Sequence, residues 1–529
     1  MAEPRDGIVE LRESFDQGRL RYLVGLGTSI AAGHPDPRSI ERALLRAVFA
    51  EDVHLRHLCA EDAALDAVAN SFVDRFGPDG VVEGVRQALA PRTSPAASTE
   101  DRERHLAEML REALYDGRRE RLLDPLHNEL AAALLDPRYE GKARAWSFNV
   151  DDLLTSALAA AGATDARVIA EPGGEQGGRG PELVHLRGYL PRTGAARGPI
   201  LGSERDLFGS HGKWQTAMLE EALLGPADVL LVGVSLTDPG VRRLLAMRLR
   251  ASPRPSAGRV YALLGKVSRD AGRPPGATVL ERFADRMATD AEPSLWRSWE
   301  VEPIVLEDRE LWPHALRRIR LGVDPAGWAT RASKWLAARG AYDGLYEEKR
   351  QRASHGLMRS MIRHLRSRFA IPREEEIHLG IHVPAQDDPR QLRIAFHFVG
   401  EQEGVSLLPN LLTEATARLR ELSIGSTGEP EGATGHAFVT GTVVASQVGD
   451  GKLHENFSPE KADRWQGPRT FQSLLAVPAY VVEAGHLPVG VIYLDSNRRR
   501  PFWAELDQDD YHELCTFSSR MCISMLRGE

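Results

Sequence analysis

Residues 21 to 35 read Arg-Tyr-Leu-Val-Gly-Leu-Gly-Thr-Ser-Ile-Ala-Ala-Gly-His-Pro, an apolar strand running into two glycines, a hydroxyl pair and a helix-like segment. Gly25 and Gly27 let a backbone turn and approach a ligand with no side chain in the way. Amides at the start of the following segment, beside Thr28 and Ser29 and before Gly33, are expected to face an anion. The chemistry is that of a phosphate cradle. A second polar group, Asn149 and Asp151 in Trp-Ser-Phe-Asn-Val-Asp-Asp-Leu-Leu, closes another apolar run, the position where open parallel sheets bind ligands. By itself Asn149 reads as a turn or helix-cap residue. In a third segment Gly233, Ser235 and Asp238 follow an apolar run, which suits a ribose or adenine edge or a plain strand-to-helix turn.

Strands must position these groups. Short apolar runs at Tyr22 to Gly25, Arg144 to Phe148, Leu183 to Leu186, Val229 to Val234, Arg259 to Leu264 and Glu302 to Leu306 alternate with helical stretches, which predicts an α/β fold with a parallel sheet over residues 1–322. A long helical insert, including Glu100 to Leu135, separates the first two runs and is expected to cap the sheet. Gly- and Pro-rich tracts at Glu171 to Pro181 and Ala271 to Ala277 read as loops. Residues 323–372 form a connecting helical region after the break at Val323 to Gly327. Its Leu357, Met358, Met361, Ile362, Leu365 and Phe369 share one face, and Arg359, Arg363, Arg366 and Arg368 line a solvated opposite face. The apolar stripe fits either a dimer seam or packing on the next domain. Residues 373–529 change character, with alternation over Leu392 to Val399, strands at Ser473 to Tyr480 and Val489 to Asp495, and a terminal helix at Asp510 to Leu526. This predicts a separate α+β domain with a mixed antiparallel sheet.

Length and charge bound the function. At 529 residues the chain exceeds one hydrophobic core, and a net charge of -8 gives no reason to expect nucleic acid or a membrane surface as a partner. Neither a signal peptide nor a spanning apolar run is present in the sequence, so a cytoplasmic location is expected. Cys59, Cys515 and Cys522 cannot form the paired knuckles of a structural zinc site, so no metal is expected.

Taken together, the three polar segments resemble the sirtuin-like superfamily, in its short bacterial branch. Gly25-Leu26-Gly27-Thr28-Ser29 with Gly33 and Pro35 is similar to the family's phosphate loop. Asn149-Val150-Asp151 is similar to its Thr-x-Asn-x-Asp segment, and Gly233-Val234-Ser235 with Asp238-Pro239 to its distal segment. The resemblance implies a Rossmann-like sheet and a nicotinamide adenine dinucleotide (NAD) site, with the first loop on the diphosphate, Asn149 and Asp151 near the nicotinamide ribose, and Gly233 and Ser235 near the adenosine. Without zinc ligands deacylation is disfavoured, and hydrolysis of the nicotinamide–ribose bond is what the family's bacterial defence members imply, in an abortive response to phage. Asp151 would answer the positive charge spreading on the ribose, and Asn149 the water or ribose hydroxyls. The family's histidine precedes a glycine, and here Arg187 precedes Gly188. An arginine cannot act as general base. His185, two residues earlier on the same strand face, is either the catalytic substitute or a structural histidine. The alternative function is a non-catalytic NAD or nucleotide sensor.

Residues 373–529 are similar to a GAF domain, through Gly-Ala-Thr-Gly-His-Ala-Phe-Val-Thr-Gly, Ser-Leu-Leu-Ala-Val-Pro and Gly-Val-Ile-Tyr-Leu-Asp-Ser in that order. Pro478 is expected to confine its strand to an edge or a strand end. The resemblance implies a sensor for a small-molecule or protein signal and a homo-oligomer.

Overall fold

Short runs of Val, Leu and Ile that are covered on both faces favour parallel pairing. Those between residues 21 and 306 form seven strands: β1 (Arg21–Val24), β2 (Arg144–Ser147), β3 (Arg167–Ile169), β4 (Glu182–His185), β5 (Val229–Val232), β6 (Val260–Gly265) and β7 (Val301–Leu306). They pair in parallel in the order β3-β4-β2-β1-β5-β6-β7. Strand order reverses at β1, where a crevice opens at the carboxyl ends of such sheets. Six strands lie within two residues of the predicted ones, and β3 is an additional edge strand.

The computed structural model describes the chain apart from residues 1–6, 52–54, 77–80, 82–83, 86–98, 116–123, 140–142, 164, 174–179, 199–209, 237, 251–256, 266–290, 307–308, 323–324, 373, 399–416, 418–420, 425–429, 448–471, 482–486, 507 and 528–529. The tract at 271–277 and part of the break at 323–327 therefore lie outside the described residues. The chain divides into two units, Met1–Trp312 and Pro313–Glu529.

In the first unit, helices α1 (Gly7–Asp16), α2 (Leu26–Ala31), α3 (Pro37–Glu51), α4 (Asp62–Phe76), α5 (Thr99–Tyr115), α6 (Pro125–Leu134), α7 (Leu153–Ala160), α8 (Ser210–Leu224) and α9 (Pro239–Arg250) surround the sheet. Trp146, Val184, Leu186, Leu223 and Leu244 bury one sheet face under α8 and α9. The insert, α3 to α5, builds its own core from Leu44, Leu65, Leu106 and Leu110, and Leu190 and Val150 join that core from the loops after β4 and β2. The insert is thus fixed beside the carboxyl ends of the strands.

The second unit contains α10 (Trp312–Leu321, whose first residue closes the first unit), α11 (Pro325–Ala337), α12 (Glu348–Arg368), β8 (Ile377–Pro384), β9 (Gln391–Phe398), β10 (Leu422–Ser423), α13 (Gly432–Thr440), β11 (Val444–Gln447), β12 (Ser473–Val481), β13 (Leu487–Ser496) and α14 (Gln508–Arg527). Its six strands pair antiparallel in the order β10-β9-β8-β13-β12-β11. Helices α12 and α14 cover one face and α13 the other. The apolar stripe of α12 packs on this sheet through Met358, Met361, Ile362 and Leu365, whereas Leu357 is exposed. Two arginines expected in solvent are engaged: Arg366 donates to the carbonyls of Pro372 and Glu375, and Arg368 pairs with Asp510 and Glu513.

Two expectations change here. Simple alternation puts Leu392, Ile394, Phe396 and Phe398 on one face. In the structure Leu392 and Ile394 pack with α13, but Phe396 and Phe398 pack with α12 and α14. Phe396 pairs with Ile381 and Ile394 with His382, so Ala395 is an extra residue, a bulge that reverses the inward side. Pro478 sits in an interior strand rather than an edge. It pairs with Val491 of β13, while β11 pairs only with residues 473–476 on the other side of β12, so among the described residues no strand lies where the missing N–H would point.

Candidate active site

The turn after β1 is bound to the turn after β5. Gly27 N–H donates to the Gly233 carbonyl at 3.0 Å, and Gly25 N–H to Val232 at 2.9 Å. A methyl group on Gly27 would stand 2.9 Å from the Gly233 Cα, and Gly233 itself has φ +66°. The glycines are therefore required by the approach of two backbones. Thr28 N–H donates to the Gly25 carbonyl, so the amides of Gly25, Gly27 and Thr28 are already used. Gly33, φ +87°, ends the six-residue α2 with its N–H on Ile30 O.

The side chains of this turn join the second segment. Thr28 Oγ1 donates to the Gly25 carbonyl at 2.9 Å, and Ser29 Oγ donates to Asp151 Oδ2 at 2.6 Å. With both hydroxyl hydrogens so directed, these oxygens can only accept, so Asn149 must present its amide nitrogen to them. Asn149 Nδ2 lies 3.0 Å from Thr28 Oγ1 and 2.7 Å from Ser29 Oγ. Asn149 Oδ1 is consequently turned away, and it is buried with no hydrogen-bond partner among the described residues. Asp151 Oδ1 accepts from Leu153 N–H at 3.1 Å and so also secures the start of α7.

His185, the last residue of β4, presents Nδ1 to the Asn149 carbonyl at 2.8 Å, which requires the hydrogen on Nδ1 and leaves a lone pair on Nε2. Burial lowers its pKa, against the opposing pull of the Asn149 carbonyl, Asp151 and Asp152, so the ring is neutral at pH 7. Nε2, like Asn149 Oδ1, is buried and has no partner among the described residues. Each such acceptor costs about 1–3 kcal/mol when left unmatched.

Ser235 is exposed, and its carbonyl accepts from Asp238 N–H at 3.2 Å. Asp238 Oδ1 accepts from Val241 N–H and caps α9, while Oδ2 takes Arg187 Nη2 at 2.6 Å. Thus Ser29, Asn149 and Asp151 form one bonded group with His185 on the Asn149 backbone, and Gly233 touches the glycine turn. Ser235 and Asp238 lie on the loop after β5.

Sequence reasoning missed two supports. His127, completely enclosed on α6, contacts Asp124 through Nδ1, and Asp124 also caps α6 through His127 N–H at 2.9 Å. Burial pulls the His127 pKa down, but the Asp124 charge and hydrogen bond, with Asp151 adding to them, raise it overall. Tyr115 of α5 accepts from Asp152 N–H at 3.0 Å and donates to the Leu190 carbonyl at 2.8 Å, which ties the insert to the loop carrying Asp151. The Asp-Pro-Leu-His run was the available signal for the first, an N-cap acid and an N1 proline with a histidine one turn in.

The loops after β2, β4 and β5 thus bring polar groups to the point of strand reversal. Residues 144–304 match a SIR2-like domain. The SIR2-like match spans Asn149, Asp151, His185, Arg187, Gly233, Ser235 and Asp238. The glycine turn of residues 25–29 lies outside it and is tied to it by the bonds of Ser29 and Gly27. No curated protein matches the chain. Among solved structures, the chain is similar to the GAF domain region of a membrane protein from Geobacter sulfurreducens, at 11% identity and TM-score 0.21, over 33% of this chain and 95% of that one. It is also similar to a second structure described as a GAF domain, at 15% identity and TM-score 0.20, over 38% and 97%. Among the described residues no group of three or more His, Cys, Asp or Glu is arranged to hold a metal, and no helix is long and apolar enough to cross a membrane.

Proposed function

We propose that the first unit binds NAD and hydrolyses its nicotinamide–ribose bond, and that the second unit is a sensor that controls it. The observation behind this reading is the pair of buried acceptors, Asn149 Oδ1 and His185 Nε2, beside the Ser29–Asp151 bond. Two acceptors without donors suit the hydroxyls of a ribose and a water molecule. The neutral His185 ring can take a proton from that water, and the Asp151 carboxylate favours the positive charge that develops on the ribose as nicotinamide departs. The SIR2-like match of residues 144–304 supports NAD as the ligand.

The second unit supports a sensor by the polar character of the sheet face under α13. His378, His382 and Gly380 alternate on β8, with Tyr493 and Asp495 on β13 and His397 on β9. All are buried, and the Tyr493 hydroxyl and His397 Nδ1 are hydrogen-bonded at 2.9 Å. An abundant coenzyme cannot be hydrolysed without restraint in a living cell, which is a reason to pair such an enzyme with a sensor. A defence role against phage is the setting we assign to it. The test is incubation of purified protein with NAD, with and without extract of infected cells, while free nicotinamide is measured. Release that is lost in Asn149→Ala is expected, and NAD binding without release would favour the non-catalytic sensor, the reading to which Arg187 in place of a histidine points.

A further inference from the structure

Three amides of the glycine turn that a diphosphate would need are engaged within the protein. Those of Gly25, Gly27 and Thr28 donate to Val232, Gly233 and Gly25, and α2 is a single short helix. Backbone amides of this turn are thus a weak answer to the charge of a diphosphate, and a cationic side chain at the crevice would answer it better. Arg187 follows β4 and Asp238 follows β5, strands separated in the sheet by β2 and β1. At about 4.8 Å per strand the gap is roughly 14 Å, yet Arg187 Nη2 and Asp238 Oδ2 meet at 2.6 Å. Between them lie the carboxyl ends of β2 and β1, which carry Asn149 to Asp151 and Gly25 to Ser29. Phe148, the first residue after β2, has its ring 5.7 Å from the Arg187 guanidinium, so the arginine passes over β2 on its way to Asp238. The Arg187 side chain is 34% exposed and that of Asp238 15%, so the pair lies at the mouth of the crevice, within reach of an entering molecule.

Resting on the dinucleotide reading above, we propose that Arg187 is the diphosphate-binding residue of this crevice and that Asp238 holds it until a ligand phosphate takes the place of the carboxylate. A guanidinium presents the same planar fork to a carboxylate and to a phosphate, so the exchange keeps its hydrogen bonds and its charge pairing. The position where a base would stand thus holds a permanent cation suited to anion recognition. Ligands with a diphosphate are selected over nucleosides by this residue, and the carboxylate competes with them. The Phe148 ring supports the guanidinium in either arrangement.

Calorimetric titration of the full chain with ADP-ribose, NAD and adenosine tests this without relying on turnover. For Arg187→Gln, ADP-ribose and NAD are expected to bind about tenfold more weakly, the loss of one charge-assisted contact. For Asp238→Asn, which retains an oxygen to cap α9, both are expected to bind about tenfold more tightly, with adenosine unchanged in either variant. Asp238→Ser, another helix-capping residue, repeats the second arm should the asparagine variant fold poorly. Equal affinities for wild type and Arg187→Gln, or adenosine moving in step with ADP-ribose, overturn the assignment of Arg187. An Asp238→Asn affinity at or below that of wild type overturns the exchange. Failure of the wild type and every variant to bind either NAD or ADP-ribose removes the NAD reading itself, and this inference with it.

Discussion

The first unit gathers its polar residues at the ends of strands, and the second lays them across the middle of a sheet. At the strand ends Ser29, Asn149 and Asp151 come from segments more than a hundred residues apart and bond side chain to side chain. On the second sheet His378, Tyr493 and His397 stand on neighbouring strands and meet because the register brings them together, with the Tyr493 ring lying over Gly380. A strand-end group depends on loops and can present unmatched atoms to a ligand. A sheet-face group is held by the ladder itself, so its geometry is more rigid and its removal more local in effect.

The sharpest test of that difference is Asn149→Ala beside Tyr493→Phe. The first removes two donors from Thr28 and Ser29 and the free Oδ1, and NAD cleavage is expected to fall by about a hundredfold or more while stability drops about 1–3 kcal/mol. The second removes one bond to His397 and is expected to lower stability by about 1 kcal/mol while leaving NAD affinity unchanged, as followed by urea unfolding and titration. Equal losses of NAD binding in both would end the distinction.

A smaller contrast comes from two glycines with φ +66°. A methyl on Gly233 would stand 2.6 Å from the backbone nitrogen of Thr28, which cannot move aside, so Gly233→Ala is expected to cost about 3 kcal/mol or more and to disturb the crevice. On Gly441 the nearest atoms to the methyl would be the ends of Arg317 and Tyr480, side chains rather than backbone but held in their own buried bonds, so a cost of about 2–3 kcal/mol, short of the Gly233 one, is expected from strain and displaced contacts. Thermal melts of the two variants rank them.

Acid and alkali separate the two buried histidines of the first unit. The lowered pKa of His185 means that below about pH 6.5 the unfolded chain takes up a proton that the folded chain refuses, so stability falls toward acid at up to about 1.4 kcal/mol per pH unit. His127, with its raised pKa, contributes fully below about pH 6.5, and that contribution is lost as the pH climbs past its folded value. Urea unfolding from pH 5 to 9 should show His185→Gln flattening the acid side and His127→Gln the alkaline side. The mildest effect concerns thiols of the second unit. Burial raises Cys515 to about 12 and Cys522 further, so native protein is expected to leave both unlabelled by maleimide at neutral pH, and labelling located by mass spectrometry to appear only with denaturant.

Much of this was legible in the chain because strand-end chemistry is local in sequence. Gly25 to Ser29, Asn149 to Asp151 and Gly233 to Asp238 each announce a strand, a turn and a polar group within a few residues. The Asp124–His127 pair was not, because an acid before a proline reads as a helix cap whether or not its histidine neighbour lies near a site. Nor was the bulge at Ala395, since the apolar alternation of Leu392 to Phe398 continues across it while the pairing slips by one. Pro478 misled for a related reason. A missing N–H constrains one side of a strand at one position, and among the described residues β11 stops short of Pro478 on that side. The reason for the glycines was also hidden, because the backbone that crowds Gly25 and Gly27 comes from two hundred residues away.

Arg317 of α10 is wholly enclosed, with Nη2 2.6 Å from the Tyr480 hydroxyl, and that hydroxyl donates to the carbonyl of Gly441, the residue that ends α13. His314, one turn earlier on α10, has Nδ1 3.2 Å from the Val439 carbonyl. A guanidinium shut away from water does not give up its contacts cheaply. Were α13 to tilt over the polar sheet beneath it, α10 would have to move with it or give up the bonds of Arg317 and His314.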